Sequence, residues 1–266
     1  MRKTAIALLV LGLAAILAAP ASAVSFWSET FSYSNGNLAV SPSVSGGNWT
    51  NHSTGTSAPT DIQVVSGTAK GDMSQQPDDN RTFTARGTGD STYACMVVRI
   101  PSPSTTPVVN NYFAHFKDTG TINFLGRVFV LPVTGAPGNF TFGVSVSSVN
   151  TTVPPVSWGT ALNFDQDYVV VVQYNAAAGR AKLWVDPINE GSTSITSNTS
   201  SSTITPIAIS AFALRQSSSG SPASGSSSWT FVVDNLGVGT SFDDACTGGP
   251  TPARSESWGR LKVLYR

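Results

Sequence analysis

The sequence predicts an all-β fold, an antiparallel sandwich or barrel of about twelve strands. Three observations predict it. Short β-rich runs recur along the chain, with Gly, Pro, Asn, Asp and Ser filling the gaps between them. No segment carries a 3.6-residue apolar period over a window of about 11 residues. Charged residues are 11% of the 266, well below the roughly 25% of a typical soluble domain. The polar mass is instead Ser, Thr, Asn and Gly, which leaves too little Glu, Lys, Arg, Leu and Ala for an all-α fold. The aromatic and β-branched content is too high for disorder.

The chain opens on a segment of its own. Met1, Arg2 and Lys3 form a short basic start, residues 4–19 are almost wholly apolar, and Ala21, Ser22 and Ala23 form a small-residue cleavage site. Residues 1–23 therefore read as a secretory signal peptide, with the mature chain starting at Val24. A membrane anchor is the alternative, but the apolar stretch is short of the roughly 20 residues a span needs. The expected location is extracellular or at the cell surface.

The strand candidates follow in order: 26–33, 48–52, 61–68, 81–86, 91–100, 111–117, 122–133, 140–147, 168–174, 181–185, 207–216 and 229–238. In the fifth, Cys95 sits within an apolar run from Tyr93 to Ile100. In the sixth, alternation puts Phe113, His115 and Lys117 on one face. In the seventh it puts Arg127 with Leu125, Phe129 and Leu131. The clearest local unit is a hairpin. One arm covers 167–174, a loop of Asn175, three alanines and Gly179 follows, and the second arm covers 180–185. A loop ending in Gly suits a hairpin whose Gly takes a positive φ. The second arm alternates, with Ala181, Leu183 and Val185 on one face and Lys182 and Trp184 on the other. The first arm is apolar on both faces, which predicts a central strand covered on both sides. Residues 192–205 and 217–228 are Ser-, Thr- and Gly-rich and read as long surface loops. The domain organisation is thus 1–23 signal peptide, 24–246 β-sandwich, 247–253 Pro/Gly linker and 254–266 a short basic-aromatic tail. About 230 residues can bury one core. In the tail, Trp258, Leu261, Leu264 and Tyr265 alternate with Arg260, Lys262 and Arg266. That pattern suits a docking or sorting tag for an envelope partner or membrane surface, with a frayed end as the bland alternative.

Charge and cysteine content bound the function. Of 15 basic and 15 acidic residues, Arg2, Lys3, the four basic residues from Arg254 onward and Glu256 lie in the two termini. The body keeps 9 basic and 14 acidic residues, a net charge of about −5, which argues against a nucleic-acid partner. Secretion permits a disulfide. Cys95 and Cys246 are its candidate partners, a buried free thiol at Cys95 being the alternative. The chain has two Cys and only His52 and His115, and no zinc site is expected. Asp78, Asp79 and Asn80, Asp165 with Asp167, and Asp243 with Asp244 offer oxygens for one structural calcium, without a complete loop signature. No other cofactor is expected.

Several segments together resemble a broad group of secreted bacterial proteins with a concanavalin A-like, laminin-G-like jelly roll. Residues 29–38 (ETFSYSNGNL), 46–50 (GGNWT) and 62–67 (IQVVSG) resemble that group's first strands, as do 111–116 (NYFAHF) and 125–130 (LGRVFV). Residues 168–174 (YVVVVQY) and 183–187 (LWVDP) resemble its long hairpin, and 209–216 (ISAFALRQ) and 233–240 (VDNLGVGT) its closing strands. The resemblance covers roughly residues 25–245. It implies a two-sheet antiparallel jelly-roll sandwich, and carbohydrate binding by analogy with lectin-like sandwiches.

The residues themselves rank the chemistries. A two-carboxylate glycan hydrolase is disfavoured, because the chain has only Glu29, Glu190 and Glu256 as glutamates and no strand carries an array of alternating carboxylates. There is no G-x-S-x-G nucleophile elbow. A polysaccharide lyase needs a group that neutralises a carboxylate and a base such as His or Tyr, and His115, Arg127 and Tyr112 supply those types. Trp49 and Trp158, among Gly, Asn, Ser and Pro at loop margins, are the expected sugar platforms, although a strand Trp is more often core. The expected binding set is therefore Trp49, Trp158, His115 and Arg127, with no catalytic residue assigned. The leading expectation is a non-catalytic lectin-like module that binds a polysaccharide or cell-surface glycan. A polysaccharide-active enzyme and a structural surface protein are the alternatives.

Overall fold

The computed structural model describes residues 24–53, 60–103, 108, 110–133, 139–146, 155–197, 206–216 and 229–247. The expected signal peptide, most of the expected linker and the expected tail lie outside them. In chain order the described strands are β1 (Ser25–Glu29), β2 (Gly36–Asn37), β3 (Thr50–Asn51), β4 (Gln63–Val65), β5 (Thr68–Asp72) and β6 (Asp78–Arg86). They continue with β7 (Ser91–Arg99), β8 (Asn111–Lys117), β9 (Phe124–Pro132), β10 (Asn139–Ser145), β11 (Val156–Ser157) and β12 (Leu162–Asn163). The last are β13 (Asp167–Asn175), β14 (Arg180–Val185), β15 (Ile195–Thr196), β16 (Ile209–Arg215) and β17 (Thr230–Gly239), followed by one short helix, α1 (Phe242–Cys246).

These strands form two antiparallel sheets. Sheet A runs β15-β14-β13-β7-β17-β5-β4-β2, with β1 also on β17. Sheet B runs β11-β10-β9-β8-β16-β6-β3, with β12 also on β10. Neighbours in each sheet come from distant parts of the chain, β7 with β17 and β8 with β16 for example. This is a jelly-roll sandwich, as the sequence predicts. One apolar core fills the space between the sheets, with Phe113, Phe116, Phe142, Phe212, Val170, Val172, Phe231 and Val233 all 0% exposed. Removing such side chains from water is the main source of stability, about 25 cal/mol per Å² of apolar surface.

The predicted hairpin is present. β13 and β14 pair from Asn175 with Arg180 to Val170 with Val185, and Gly179 in the turn has φ 57°. Ala181, Leu183 and Val185 enter the main core while Trp184 packs on the opposite face with Tyr93, Cys95 and Val171. β13 lies between β14 and β7 and is buried on both faces. That opposite face is covered by α1, whose Phe242 and Ala245 join the same cluster. Cys95 and Cys246 form a disulfide there, with Cα atoms 5.3 Å apart.

Several boundaries differ from the sequence reading, three of them for a clear physical reason. The first strand ends at Glu29, because Phe31 takes φ 49° and turns the chain. β5, with its Gly71, reads as a turn in the sequence, yet that Gly is what lets the Phe231 ring lie across the strand: a Cβ there would meet the ring at 2.1 Å. β6 begins at Asp78, not 81, so three polar residues that look like a loop are paired strand.

Candidate functional site

The face of sheet B turned away from the core gathers the chain's unusual polar groups. On β16, Phe212 and Leu214 enter the core, so Ala211, Ala213 and Arg215 point outward. Cross-strand partners share a face. Ala213 therefore brings Asn80 of β6 and His115 of β8 to its sides, while Ala211 brings Thr82 and Lys117. Arg215 is opposite Asp78. On β9, Phe129 lies beside Tyr112, and Arg127 pairs with Ser145 of β10. The small Ala211 and Ala213 leave a strip floored by methyl groups, with polar walls from β6 and β8.

Two irregularities put these side chains where they are. Simple alternation places Phe113 with His115, but the β8–β9 register shifts between Tyr112 and Ala114 and again between Ala114 and Phe116. Phe113 and Ala114 both enter the core, and His115 faces out with Tyr112. Opposite them Gly126 has φ 57°. Its chain therefore turns so that Leu125 enters the core while Arg127 faces out over Tyr112, instead of sharing a face with Leu125 as expected.

The centre of the face is a box of rings. His115 is 0% exposed, with Phe124 at 4.4 Å, Tyr112 at 5.6 Å and His52 at 5.8 Å between ring centroids. Phe124 also lies 5.9 Å from His52. Neither ring nitrogen of His52 or His115 makes a hydrogen bond of acceptable geometry, although all four atoms are buried. Buried polar atoms are nearly always paired, and an orphan calls for an explanation.

Cations surround the box. The guanidinium groups of Arg127 and Arg215 stack over the Tyr112 ring at 4.7 and 4.1 Å. Arg127 Nε donates to Phe124 O at 3.2 Å, and Arg215 Nη1 donates to Asn111 Oδ1 at 2.9 Å. Lys117, 4% exposed, donates to Asp118 O at 2.8 Å. Burial holds His115 well below the ordinary histidine range, and His52, Arg127, Arg215 and Lys117 push it the same way. Burial and then Lys117 lower His52 to about 3, with the Asn80 amide working in the opposite direction. Both rings are neutral at pH 7. The facing carboxylate, Asp78, is raised to about 6 by burial, against the pull of Arg215 at 3.8 Å.

The expected site residues divide. His115 and Arg127 come together here. Trp49 does not join them: it is 1% exposed in the core, 6.0 Å from Trp27 and 5.8 Å from Phe31, with Nε1 donating to Glu29 at 3.0 Å. Trp158 follows β11 at the β10 edge. Its indole packs on the main core, and its backbone bonds to Phe142 O and Thr141 Oγ1. The residues the sequence left out of the set are His52, Asn80, Lys117 and Arg215, with Tyr112. Strand-face alternation around Arg215 was the available signal. No group of three or more His, Cys, Asp or Glu is placed to hold a metal ion among the described residues. Of the calcium candidates, Asp167 is in a two-pronged ion pair with Arg99 at 2.8 and 2.7 Å. Asp165 accepts from Ser102 N, Asp244 from Ser241 Oγ, and Asp79 points into the core.

No protein-family model matches this chain, and no curated protein matches it in sequence. Solved structures align with it at low identity. A sialidase aligns with 10% identity and a TM-score of 0.49 over 82% of this chain and 19% of its own, so the chain spans about a fifth of that enzyme. An alginate lyase mutant in complex with alginate tetrasaccharide aligns with 14% identity and a TM-score of 0.48 over 82% and 96%. A lectin complexed with galactose aligns with 13% identity and a TM-score of 0.45 over 81% and 98%.

Proposed function

We propose that the outer face of sheet B binds an acidic polysaccharide, and that the chain does so outside the cell after loss of residues 1–23. The observation that carries this is the gathering of Lys117, Arg127 and Arg215 about the neutral His52 and His115 rings, with His52 and Arg127 part-exposed at the front of the face. Neutral imidazoles can donate to and accept from sugar hydroxyls. Lys117, Arg127 and Arg215 disfavour a bound cation and favour a carboxylate or sulfate, with guanidinium offering two parallel hydrogen bonds to it.

One observation favours a second reading, elimination at a uronic acid. His115 is uncharged and lies beside the Tyr112 ring under two guanidinium groups. Once binding uncovers the His115 ring, which is 0% exposed in the free chain, and with the carboxylate neutralised by Arg, the imidazole takes the C5 proton, and that electron pair forms the C4–C5 double bond. The C4–O bond breaks, and the leaving oxygen takes a proton from the Tyr112 hydroxyl.

The mature protein is titrated with uronate-bearing, sulfated and neutral polysaccharides at low and high salt. Tight binding of an acidic polymer that weakens with salt is expected, with Arg127→Ala and His115→Ala each losing about tenfold or more. Equal affinity for neutral polymers, or none for any, overturns the proposal. Growth of the ultraviolet absorbance of an unsaturated uronate, lost in His115→Ala, identifies a lyase. Binding without it leaves a lectin-like module.

A further inference from the structure

On the core side of β6, behind the site, lie two buried carboxyl groups whose hydrogen bonds do not add up. Asp79 pairs with Leu214 across the sheet, so it faces inward while Asp78 and Asn80 on either side face outward. It is 0% exposed. Asp61, 3% exposed, precedes β4, which lies next to the edge strand β2 of sheet A. Its Oδ2 accepts from Ala39 N and Val40 N, both at 2.9 Å. Asp79 Oδ1 accepts from Asn51 Nδ2 at 3.4 Å. The remaining oxygens, Asp61 Oδ1 and Asp79 Oδ2, are buried with no protein donor. The two side chains are in hydrogen-bond contact with each other.

Ionised carboxylates only accept, so two of them cannot bond without something between. Burying two adjacent negative charges is also costly. The charges acting on Asp79 are those of Asp61 and Asp78, both negative, while Arg81, two residues along the same face of β6, is held by Glu29 at 2.8 Å. Asp78 is engaged elsewhere, by Gln216 N and Arg215. Neutral partners nearby are Asn51 from β3, the 39–40 backbone, and the Gln216 amide, which bonds Thr60 O, Pro77 O and Asp72 N. A cation would need several more oxygens than these two. One proton satisfies both orphans and removes one charge.

We propose that Asp79 keeps its proton and donates it to Asp61, and that this pair is a pH-sensitive latch joining the 38–40 loop and β4 of sheet A to β6 of sheet B. Hydroxide removes the proton as water, leaving two facing carboxylates that repel, and the seam behind Asp78 and Asn80 loosens. The latch does not depend on what the outer face binds.

Burial, then Asp61, holds Asp79 well above the ordinary carboxylate range. A raised acid stabilises fully below its unfolded value of about 4, and the contribution is lost as pH rises towards the folded value. The test compares wild type with Asp79→Asn, whose amide donates to Asp61 permanently, by thermal melting from about pH 4 to about pH 8. The histidines titrate alike in both proteins and cancel in the difference. Wild-type Tm relative to Asp79→Asn should fall by roughly 3–5 °C per pH unit over the window in which only the unfolded Asp79 is ionised. Asp61→Asn, with the donor on the other side, should flatten the profile in the same way if Asp79→Asn does not fold. Infrared spectra should show a protonated carboxyl band at neutral pH that Asp79→Asn removes. Parallel Tm profiles, a missing band, or calcium raising the wild-type Tm alone overturns the latch.

Discussion

Histidines 52 and 115 have the largest consequence of any single residues. Each is neutral in the folded chain because burial and nearby cations disfavour its charge. A depressed histidine contributes stability that is present above its unfolded value of about 6.5 and lost as pH falls towards its folded value. Over the window from about 6.5 down to about 3 for His52, each should cost on the order of 1.4 kcal/mol per pH unit. Between about pH 7.5 and about pH 5.5 the urea midpoint of the wild type should therefore drop relative to that of the double variant His52→Gln with His115→Gln, in which the carboxyl groups titrate alike and cancel. An equal drop in both would mean the rings are already charged. Trp49 shows where residue-scale reading of the sequence stops. Its Gly and Asn neighbours suggest exposure, yet Glu29 supplies a buried acceptor for its indole and also takes Phe31 N, the Tyr33 hydroxyl and Arg81 at 2.8 Å each. A glutamate with several buried partners drawn from separate segments cannot be inferred from any one of them.

At the level of elements, the existence of strands was legible and the direction of side chains across β8 and β9 was not. The hairpin of β13 and β14 follows from apolar alternation and a turn glycine. The segment Phe113–Lys117 alternates just as plainly, but its apolar residues could occupy either face, so pattern alone does not reveal an inserted residue. The register shifts decide it, and Gly126 shapes the matching bend in β9. A Cβ on Gly126 would sit 3.1 Å from the Phe116 ring and would force a side chain into φ 57°. Gly126→Ala should lose about 1–3 kcal/mol in urea unfolding and weaken anionic glycan binding by displacing Arg127. Gly46→Ala is the control. It has a similar φ of 64° but open space within 4 Å, so it should lose only the backbone cost, about 1 kcal/mol. Equal losses would assign no role to the Phe116 contact.

At the scale of the whole molecule, two links hold distant parts of the chain together outside the main core. One is the polar seam in which Gln216 on the β16 side reaches Asp72 on β5 and Thr60 near the edge of sheet A. The other is the clasp of α1 on the outer face of sheet A. The sequence offered two cysteines and left their pairing open, and five residues are too few for a helical period to show. What makes α1 dock is its partners: Phe242 lies 5.6 Å from Trp184 and 6.5 Å from Tyr93, and Ser241 caps its first turn through Asp244 N. The disulfide then joins Cys246 to Cys95 on β7, across a separation of 151 residues. A loop that long removes much freedom from the unfolded chain, by about 5 kcal/mol in the entropic account, with 2–4 more usual in practice. Cys95→Ala with Cys246→Ala should therefore fold to the same sheets by circular dichroism and melt about 10 °C lower. Cys95 is 0% exposed under the helix, so mild reductant should leave the native disulfide intact at temperatures where α1 stays docked. Phe242→Ala, which removes the ring from between Trp184 and Tyr93, should speed that reduction while the main core still resists proteolysis. Reduction at the same rate in both proteins would show that α1 does not guard the bond, and an unchanged Tm without the cysteines would show that the clasp contributes no stability.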